Sequence, residues 1–103
     1  MAQFTAHRNI NPASKAAVPL LLNVQSDLIE DLGTRVVVPL YPAAAMKGKA
    51  IRTLTPTFEI DGKQYVMMTP QLPAIARKLL GAPAADLSAK SADITSALAS
   101  LIT

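Results

Sequence analysis

The chain has 103 residues, of which 50% are hydrophobic, 17% are charged and none is cysteine. This length suits one domain, residues 1–103, with one modest core. Without cysteine, the chain has no disulfides, no thiolate catalysis and no thiolate metal sites. The net charge of +3 is too small and too dispersed for a nucleic-acid-binding surface. A weakly acidic protein partner fits this charge better.

The N-terminal segment MAQFTAHRNINPASK lacks the charged start and apolar block of a signal peptide. The longest apolar stretches, residues 16–22 and 35–40, are far shorter than the roughly 20 residues that cross a bilayer. We therefore expect a soluble, cytoplasmic protein that does not bind membranes.

Strands are predicted along the first part of the chain. Residues 3–8 form a short run around Phe4, ended by the turn-favouring Asn-Ile-Asn-Pro. Residues 18–25 are apolar with a proline near the start, which suits an edge strand or a strand beginning. The β-branched run 36–38 is expected to be buried on both faces. It is also expected to stop at Pro39, because proline cannot donate a ladder hydrogen bond.

The middle of the chain predicts a loop and a hairpin. Residues 41–49 mix proline, small residues and glycine, which is typical of a loop or a single helical turn. The runs 57–60 and 65–69 flank Asp61-Gly62, a strong signal for a β-hairpin. Four side chains of this hairpin are predicted to face the core: Phe58, Ile60, Tyr65 and Met67.

Two helical patterns follow. Residues 72–81, after Thr69-Pro70, mimic a capped amphipathic helix with a glycine stop. From Ser88 onward aliphatic residues recur at helical spacing, and Asp86 with Ser88 can supply the cap. Many short strands and one late helix predict a mainly β fold, a small β barrel with a C-terminal α-helix.

Catalytic and metal-binding groups are scarce. His7, the only histidine, lies next to Arg8 on the first predicted strand and is interpreted as a surface residue. Asp27, Glu30 and Asp31 lack the calcium-loop pattern and are interpreted as an acidic turn surface. The four glycines form no phosphate-binding or dinucleotide-binding pattern. No metal and no cofactor is therefore predicted.

An enzyme is disfavoured by the same search. Ser26, Thr69 and Ser88 have no neighbouring base suggested by the sequence. Four basic residues are interpreted as solvated charges: Arg35, Arg52, Arg77 and Lys78. Because an arginine can also stabilise a cleaved phosphodiester, a ribonuclease is kept as the alternative.

Residues 23–40, NVQSDLIEDLGTRVVVPL, resemble the signature of the CcdB family, the toxins of plasmid and chromosomal toxin–antitoxin pairs. In that signature Val-Gln-Ser-Asp precedes two aliphatic residues and then an arginine-bearing strand that ends in Pro-Leu. Further similarities follow in family order at Gln3-Phe4, 56–60, Met67-Met68-Thr69, 85–88 and Asp93-Ile94. The resemblance covers almost the whole chain.

The resemblance implies a small barrel related to SH3-like folds, with a C-terminal helix and assembled as a homodimer. Helix positions Leu98 and Leu101, which the barrel would leave uncovered, favour the same assembly. The resemblance also implies that residues 76–80 form a strand rather than part of a helix. We follow it there, because tertiary context overrides a short propensity signal.

The function implied by the resemblance is poisoning of DNA gyrase. The toxin binds the gyrase A subunit and traps the enzyme with its DNA cleaved, and a CcdA-like antitoxin neutralises it. The toxin itself makes and breaks no bond. The implied apolar anchors are Leu28 and Ile29, the two aliphatic residues after the signature aspartate. The residue pattern alone favours equally two alternatives: that Leu28 and Ile29 are exposed on a turn, or that they pack back on the core.

The extreme C-terminus completes the implied gyrase contact. By alignment, its positions in this chain are Ala99, Ile102 and Thr103. Family tails often end in Trp-Gly-Ile or Thr-Gly-Ile, whereas this sequence finishes Leu-Ile-Thr. We therefore expect weaker poisoning than the family signature alone implies.

A basic surface is the predicted antitoxin site. It consists of Lys47, Lys49, Arg52 and Lys63, and it would attract the disordered, acidic C-terminal segment of an antitoxin. Three hypotheses stay open: a gyrase-poisoning toxin, a MazF-like endoribonuclease, and an attenuated relative that binds antitoxin but not gyrase. An RNA-cleaving barrel would need a denser basic groove than the 10 dispersed basic residues provide.

Overall fold

The computed structural model describes residues 3–26, 33–46, 56–69 and 74–102. Within these ranges the chain forms seven β-strands and one α-helix. In chain order they are β1 (Thr5–Asn9), β2 (Leu20–Asn23), β3 (Thr34–Pro42), β4 (Thr57–Ile60), β5 (Lys63–Met67), β6 (Ala74–Ala76), β7 (Leu80–Asp86) and α1 (Ser91–Ile102). Short 3-10 helices span Ala43–Met46, Arg77–Leu79 and Ser88–Lys90.

The strands form one antiparallel sheet that curls into a half-barrel. Its order is β4-β5-β3-β2-β1-β7, and β6 pairs separately with β3. One edge of β3 pairs with β2, and β5 and β6 share the other edge. The predicted mainly β fold with a C-terminal helix is confirmed. The 3-10 helix Ala43–Met46 agrees with the single helical turn predicted within 41–49, whose last three residues lie outside the described ranges.

The predicted end of the third strand at Pro39 is wrong, because β3 continues to Pro42. The carbonyl oxygen of Pro39 accepts a 3.0 Å hydrogen bond from the backbone N–H of Met68. In an antiparallel strand the nitrogen and the carbonyl of one residue point to the same edge. The missing N–H of Pro39 therefore falls between the parts of β3 that pair with β5 and β6, and no bond to β2 is lost.

Burial of β3 on both faces is confirmed. Val37 and Val38 are both fully buried and, as neighbours on a strand, point to opposite faces. Val38 belongs to the main core cluster, whereas Val37 packs with Leu21 and Leu80 in a second cluster on the other face. The triple-valine run therefore fits the central strand, since it supplies β-branched side chains to two cores.

The main core lies between one face of the sheet and α1. Strand residues Leu22, Leu40 and Met67 pack in one cluster with Ile94 and Ala97 of the helix. Ile94 and Ala97 are three apart and so lie on one face of the helix. This single face attaches the C-terminal helix to the sheet.

The hairpin predicted around Asp61-Gly62 is confirmed. Ile60 pairs with Lys63 across a two-residue turn in which Asp61 has φ 53° and Gly62 has φ 79°. Positive φ at both turn residues matches the twist of the flanking strands, which explains the Asp-Gly sequence. The four predicted core positions also behave as expected: Phe58, Ile60 and Met67 are buried, and the half-buried Tyr65 packs against them.

The helix predicted over residues 72–81 is wrong for the described part of that range. Ala74–Ala76 pairs with β3, Arg77–Leu79 forms a 3-10 turn, and β7 starts at Leu80. The strand implied for 76–80 is also interrupted by this turn. Gly81 is not a helix stop, because it lies within β7; a Cβ there would lie 2.9 Å from the carbonyl oxygen of Arg8. It allows β7 to approach β1 closely.

Candidate interaction surface

The connection between β2 and β3 is anchored by side-chain amides at its base. The backbone N–H of Val24 donates to the Val36 carbonyl over 3.0 Å. The N–H of Val36 donates instead to the side-chain Oε1 of Gln25, over 3.1 Å. The carbonyl of Val24 accepts a 3.2 Å bond from Nε2 of Gln3. Two glutamine side chains thus replace one backbone bond of a regular antiparallel pair.

The N-terminal segment reinforces this base. Phe4 donates its N–H to the Asn23 carbonyl over 2.7 Å and accepts a 2.8 Å bond from the N–H of Leu87. Phe4 adopts a positive φ of 67°, which is unusual for a residue with a side chain. Its ring packs on the main core cluster. Phe4 therefore connects the end of β2 to the chain that enters the helix.

Three polar residues at this base are buried: Asn23, Gln25 and Arg35. The interpretation of Arg35 as a solvated charge is wrong, because only 1% of this residue is exposed. Arg35 lies on β3 next to Val36, and it pairs with Ile75 of the neighbouring strand β6. Lys78 is exposed as expected, whereas Arg52 and the side chain of Arg77 lie outside the described part of the molecule.

The cap predicted for the C-terminal helix from Asp86 and Ser88 is not found at the helix start, because the N-cap of the preceding 3-10 turn is Leu87, which makes no side-chain cap bond, and Asp86 bonds Ser88 instead. Asp86 Oδ1 accepts a 2.9 Å bond from the N–H of Ser88. This backbone bond, with a further bond from the Ser88 side chain, lowers the pKa of the Asp86 carboxyl. The chain then forms the 3-10 turn Ser88–Lys90 and enters α1 at Ser91. Asp86 thus stabilises the turn that precedes the 3-10 helix rather than the first turn of α1.

The helix and the base of the β2–β3 connection share one core. Val24 and Ile94 belong to the main core cluster, and Val36 and Leu98 pack against it. Leu98 is half-buried, and the next residue, Ala99, is exposed. The end of β2, the start of β3 and α1 therefore pack on the same apolar cluster.

The structure describes only part of the predicted gyrase contact. Ala99 lies exposed on α1, and Ile102 is the last residue of that helix. Leu28, Ile29 and Thr103 lie outside the described residues, and for Ile102 only the backbone is described.

The predicted antitoxin surface is described at one position only. Lys63 is exposed where β5 begins, next to the hairpin turn. Asp61 and Glu59 of the same hairpin are also exposed, so the charge there is mixed. Lys47, Lys49 and Arg52 lie outside the described residues.

His7 is not the surface residue that the sequence suggested. It is 5% exposed, and its Nδ1 lies 3.0 Å from the Gly81 carbonyl oxygen, a geometry in which Nδ1–H donates. Its Nε2 is buried without a hydrogen-bond partner, as is Oγ1 of Thr69. In the ranges that the structure describes, no three potential metal ligands lie together. No helix there is long and apolar enough to cross a membrane.

Sequence reasoning missed the structural role of Asn23 and Gln25. Both residues were noted only as part of the family signature. The sequence feature that indicates their role is a pair of amide residues, two apart, at the end of an apolar strand. Asn23 Oδ1 accepts a 3.2 Å bond from the Gln25 N–H, and such local side-chain bonds favour turns over continued strands.

In the described residues, a curled antiparallel sheet and a C-terminal helix that pack on one core define a small, mainly β protein. The family model described as CcdB protein matches residues 3–103. The chain belongs to the CcdB family. Membership implies a toxin of a toxin–antitoxin pair that acts on gyrase, and toxins of this family are gyrase poisons rather than enzymes.

Proposed function

We propose that this protein poisons DNA gyrase. It binds the gyrase A subunit and traps the complex of gyrase with cleaved DNA, without making or breaking a bond itself. The observation that carries this proposal is the match of residues 3–103 to the CcdB family. The protein acts as a single domain in the cytoplasm, and a CcdA-like antitoxin neutralises it.

The proposed gyrase contact combines the β2–β3 connection with the end of the helix. Its residues are Leu28, Ile29, Ala99, Ile102 and Thr103. Two observations support this combination. Val24 and Val36 flank the connection and share the core cluster with the helix, and Ala99 is exposed. Interface energy generally concentrates in a few anchor residues.

We propose that the protein is a homodimer. Its proposed antitoxin surface consists of Lys47, Lys49, Arg52 and Lys63. The exposed position of Lys63 supports its availability to an acidic segment. The acidic neighbours on the same hairpin reduce the attraction there, so most of the steering is assigned to the other three residues.

The decisive experiment is a gyrase cleavage assay. Purified protein is added to gyrase, supercoiled DNA and ATP, and linear DNA is scored after denaturation. We expect linear DNA that increases with toxin and disappears when a cognate antitoxin peptide is added first. The matched control is Leu28→Asp, which places a charge at a proposed apolar anchor and should abolish cleavage.

The outcomes separate the three hypotheses. Linear DNA in the gyrase assay supports the proposal. Cleavage of a mixed RNA substrate without gyrase would support the MazF-like endoribonuclease instead. Antitoxin binding without either cleavage would identify an attenuated relative and contradict gyrase poisoning.

A further inference from the structure

The β1–β2 loop (residues 10–19) is bonded from inside by the side chain of Asn9. Asn9 is 6% exposed, and its Nδ2 donates to Ser14 Oγ over 3.0 Å and to the Val18 carbonyl over 2.8 Å. Its Oδ1 accepts a 3.0 Å bond from the N–H of Asn11. Its backbone N–H donates over 3.0 Å to the carbonyl of the last loop residue. The loop therefore has the close ends and internal bonds of a compact, ordered surface loop.

The exposed side of this ordered loop is mostly apolar. Ile10 is 49% exposed, and it is the one large hydrophobic side chain that is exposed in the part of the chain that the structure describes. Four further exposed residues of the loop are small and apolar: Pro12, Ala13, Ala16 and Ala17. A single exposed isoleucine would need no explanation, but here it lies in an apolar segment. Because an ordered loop loses little entropy on binding, its apolar surface can contribute to affinity.

Ile10 is held against the start of the edge strand β7. Its N–H donates to the Leu79 carbonyl over 3.4 Å, and the exposed Lys78 precedes Leu79. A Cβ on Gly81 would lie 2.6 Å from Cγ2 of Ile10 and 3.4 Å from Cβ of Arg8. Glycine at this position therefore leaves room for the Ile10 side chain, which lies beside the aliphatic stem of Arg8.

The charged side chains on and beside the loop are all basic within the described residues. Arg8, Lys15 and Lys78 are exposed. The segments that form this surface, 8–19 and 74–85, contain no aspartate and no glutamate. The acidic residues that the structure describes lie on the β4–β5 hairpin, at the far end of β7 and on α1. A surface of one sign attracts a partner of the opposite sign, so an acidic partner fits here.

We propose that the β1–β2 loop, together with Arg8 and Lys78, is a docking surface for an acidic peptide segment that carries aliphatic side chains. An aliphatic side chain of the segment packs on Ile10, and its carboxylates pair with the surrounding cations. This surface goes beyond the proposed function. It shares no residue with the proposed gyrase contact, and Lys63 lies on the hairpin at the other end of the strand order. A nucleic acid fits less well, because the loop offers no aromatic side chain for base stacking.

The test measures fluorescence anisotropy of two short labelled peptides with the full chain. One peptide consists of glutamates around a central pair of leucines, and in the other peptide serines replace the leucines. We expect the leucine peptide to bind about tenfold more tightly, because burial of an aliphatic side chain adds affinity. Ile10→Ser should reduce this difference to less than about twofold, as expected when the contact that distinguishes the peptides is lost.

Arg8→Gln/Lys78→Gln tests the charges, and Lys90→Gln is the matched control. Lys90 is exposed on the 3-10 helix that precedes α1, beyond the end of β7 that pairs with Thr5. At low salt the double change should weaken binding of both peptides by about tenfold, and this loss should shrink at high salt. Lys90→Gln should change both affinities by less than about twofold. Thermal unfolding of every variant checks that the fold is kept.

Several results would overturn the inference. They are the absence of binding of both peptides, a leucine preference that persists in Ile10→Ser, and equal losses from the double change and from Lys90→Gln. A labelled oligothymidylate that binds more tightly than the leucine peptide would identify a nucleic-acid surface instead.

If Ile10→Ser does not fold, NMR of the wild type decides. The leucine peptide must then shift the amide resonances of Ile10 and Ala13 and leave those of Asp61 and Gly62 in place, and unchanged Ile10 and Ala13 resonances contradict docking. None of these measurements contains gyrase, so a failure of the proposed function leaves the test of this surface intact.

Discussion

Replacing Ile94 by alanine should lower the melting temperature strongly. Ile94 has no exposed surface and packs in the main core cluster, so the change leaves a cavity between α1 and the sheet. A buried isoleucine-to-alanine change costs about 2–5 kcal/mol, a large part of the roughly 5–15 kcal/mol that holds a small domain folded. At about 4–8 °C per kcal/mol, the melting temperature should fall by about 8–40 °C.

The assay is thermal unfolding followed by circular dichroism at one fixed protein concentration, because association also stabilises folded chains. Thr95→Ala is the matched control, since Thr95 is the next residue on α1 and is exposed. Its unfolding free energy should stay within about 0.5 kcal/mol of the wild type. An Ile94→Ala melting temperature within about 3 °C of the wild type would show that helix packing contributes little, and would refute the reasoning.

Three further predictions concern turn geometry, pH and charge. Gly62→Ala should lower the free energy of unfolding by about 1–2 kcal/mol in a denaturant titration, because Gly62 has φ 79°. Gly33→Ala should leave the free energy of unfolding nearly unchanged, because there is open space around its Cβ. Equal losses would contradict the turn assignment. The bonds from Ser88 lower the pKa of the Asp86 carboxyl in the folded protein. The stability that these bonds add is therefore present above the pKa of Asp86 in the unfolded chain, and it is lost as the pH falls through the pKa in the folded protein. Wild type should therefore lose stability relative to Asp86→Asn below about pH 4, and parallel pH curves would argue against stabilisation by the Asp86–Ser88 bonds. Lys63→Glu should slow association with an acidic antitoxin peptide at low salt but not at high salt, and a salt-independent rate would exclude steering.

Local chemistry made the hairpin predictable. Asp61-Gly62 is a turn signal that needs no distant partner, and the alternation around it gave the core face correctly. The terminal helix was predictable for the same reason, since its aliphatic spacing lies within one short segment. Non-local pairing was not predictable in this way. Residues 74–76 form a strand by pairing with Thr34–Val36 of β3, which is distant in the sequence, and nothing near Ile75 in the sequence indicates that strand.

The burial of polar residues was also not predicted from the sequence. Histidine and arginine are often exposed to water, so the residue types of His7 and Arg35 did not indicate that the sheet encloses them. The extension of β3 past Pro39 depended on which edge the missing N–H faces, a property of the assembled sheet. The family resemblance identified the segment that holds Gln25, but only the hydrogen bonds show what its side chain does.

The central place of β3 has a consequence for synthesis and folding. Its partners lie on both sides in the sequence, and β6 leaves the ribosome long after Val36–Val38 has been made. Until then Thr34–Val36 has no partner on the edge that β6 will occupy, and an unpaired strand edge can pair with another chain and aggregate. Sheets built from such distant pairings also fold slowly, on the scale of about milliseconds to seconds. Newly made chains would thus be most vulnerable during this interval, and an added charge near the valine run would test it through the yield of soluble protein.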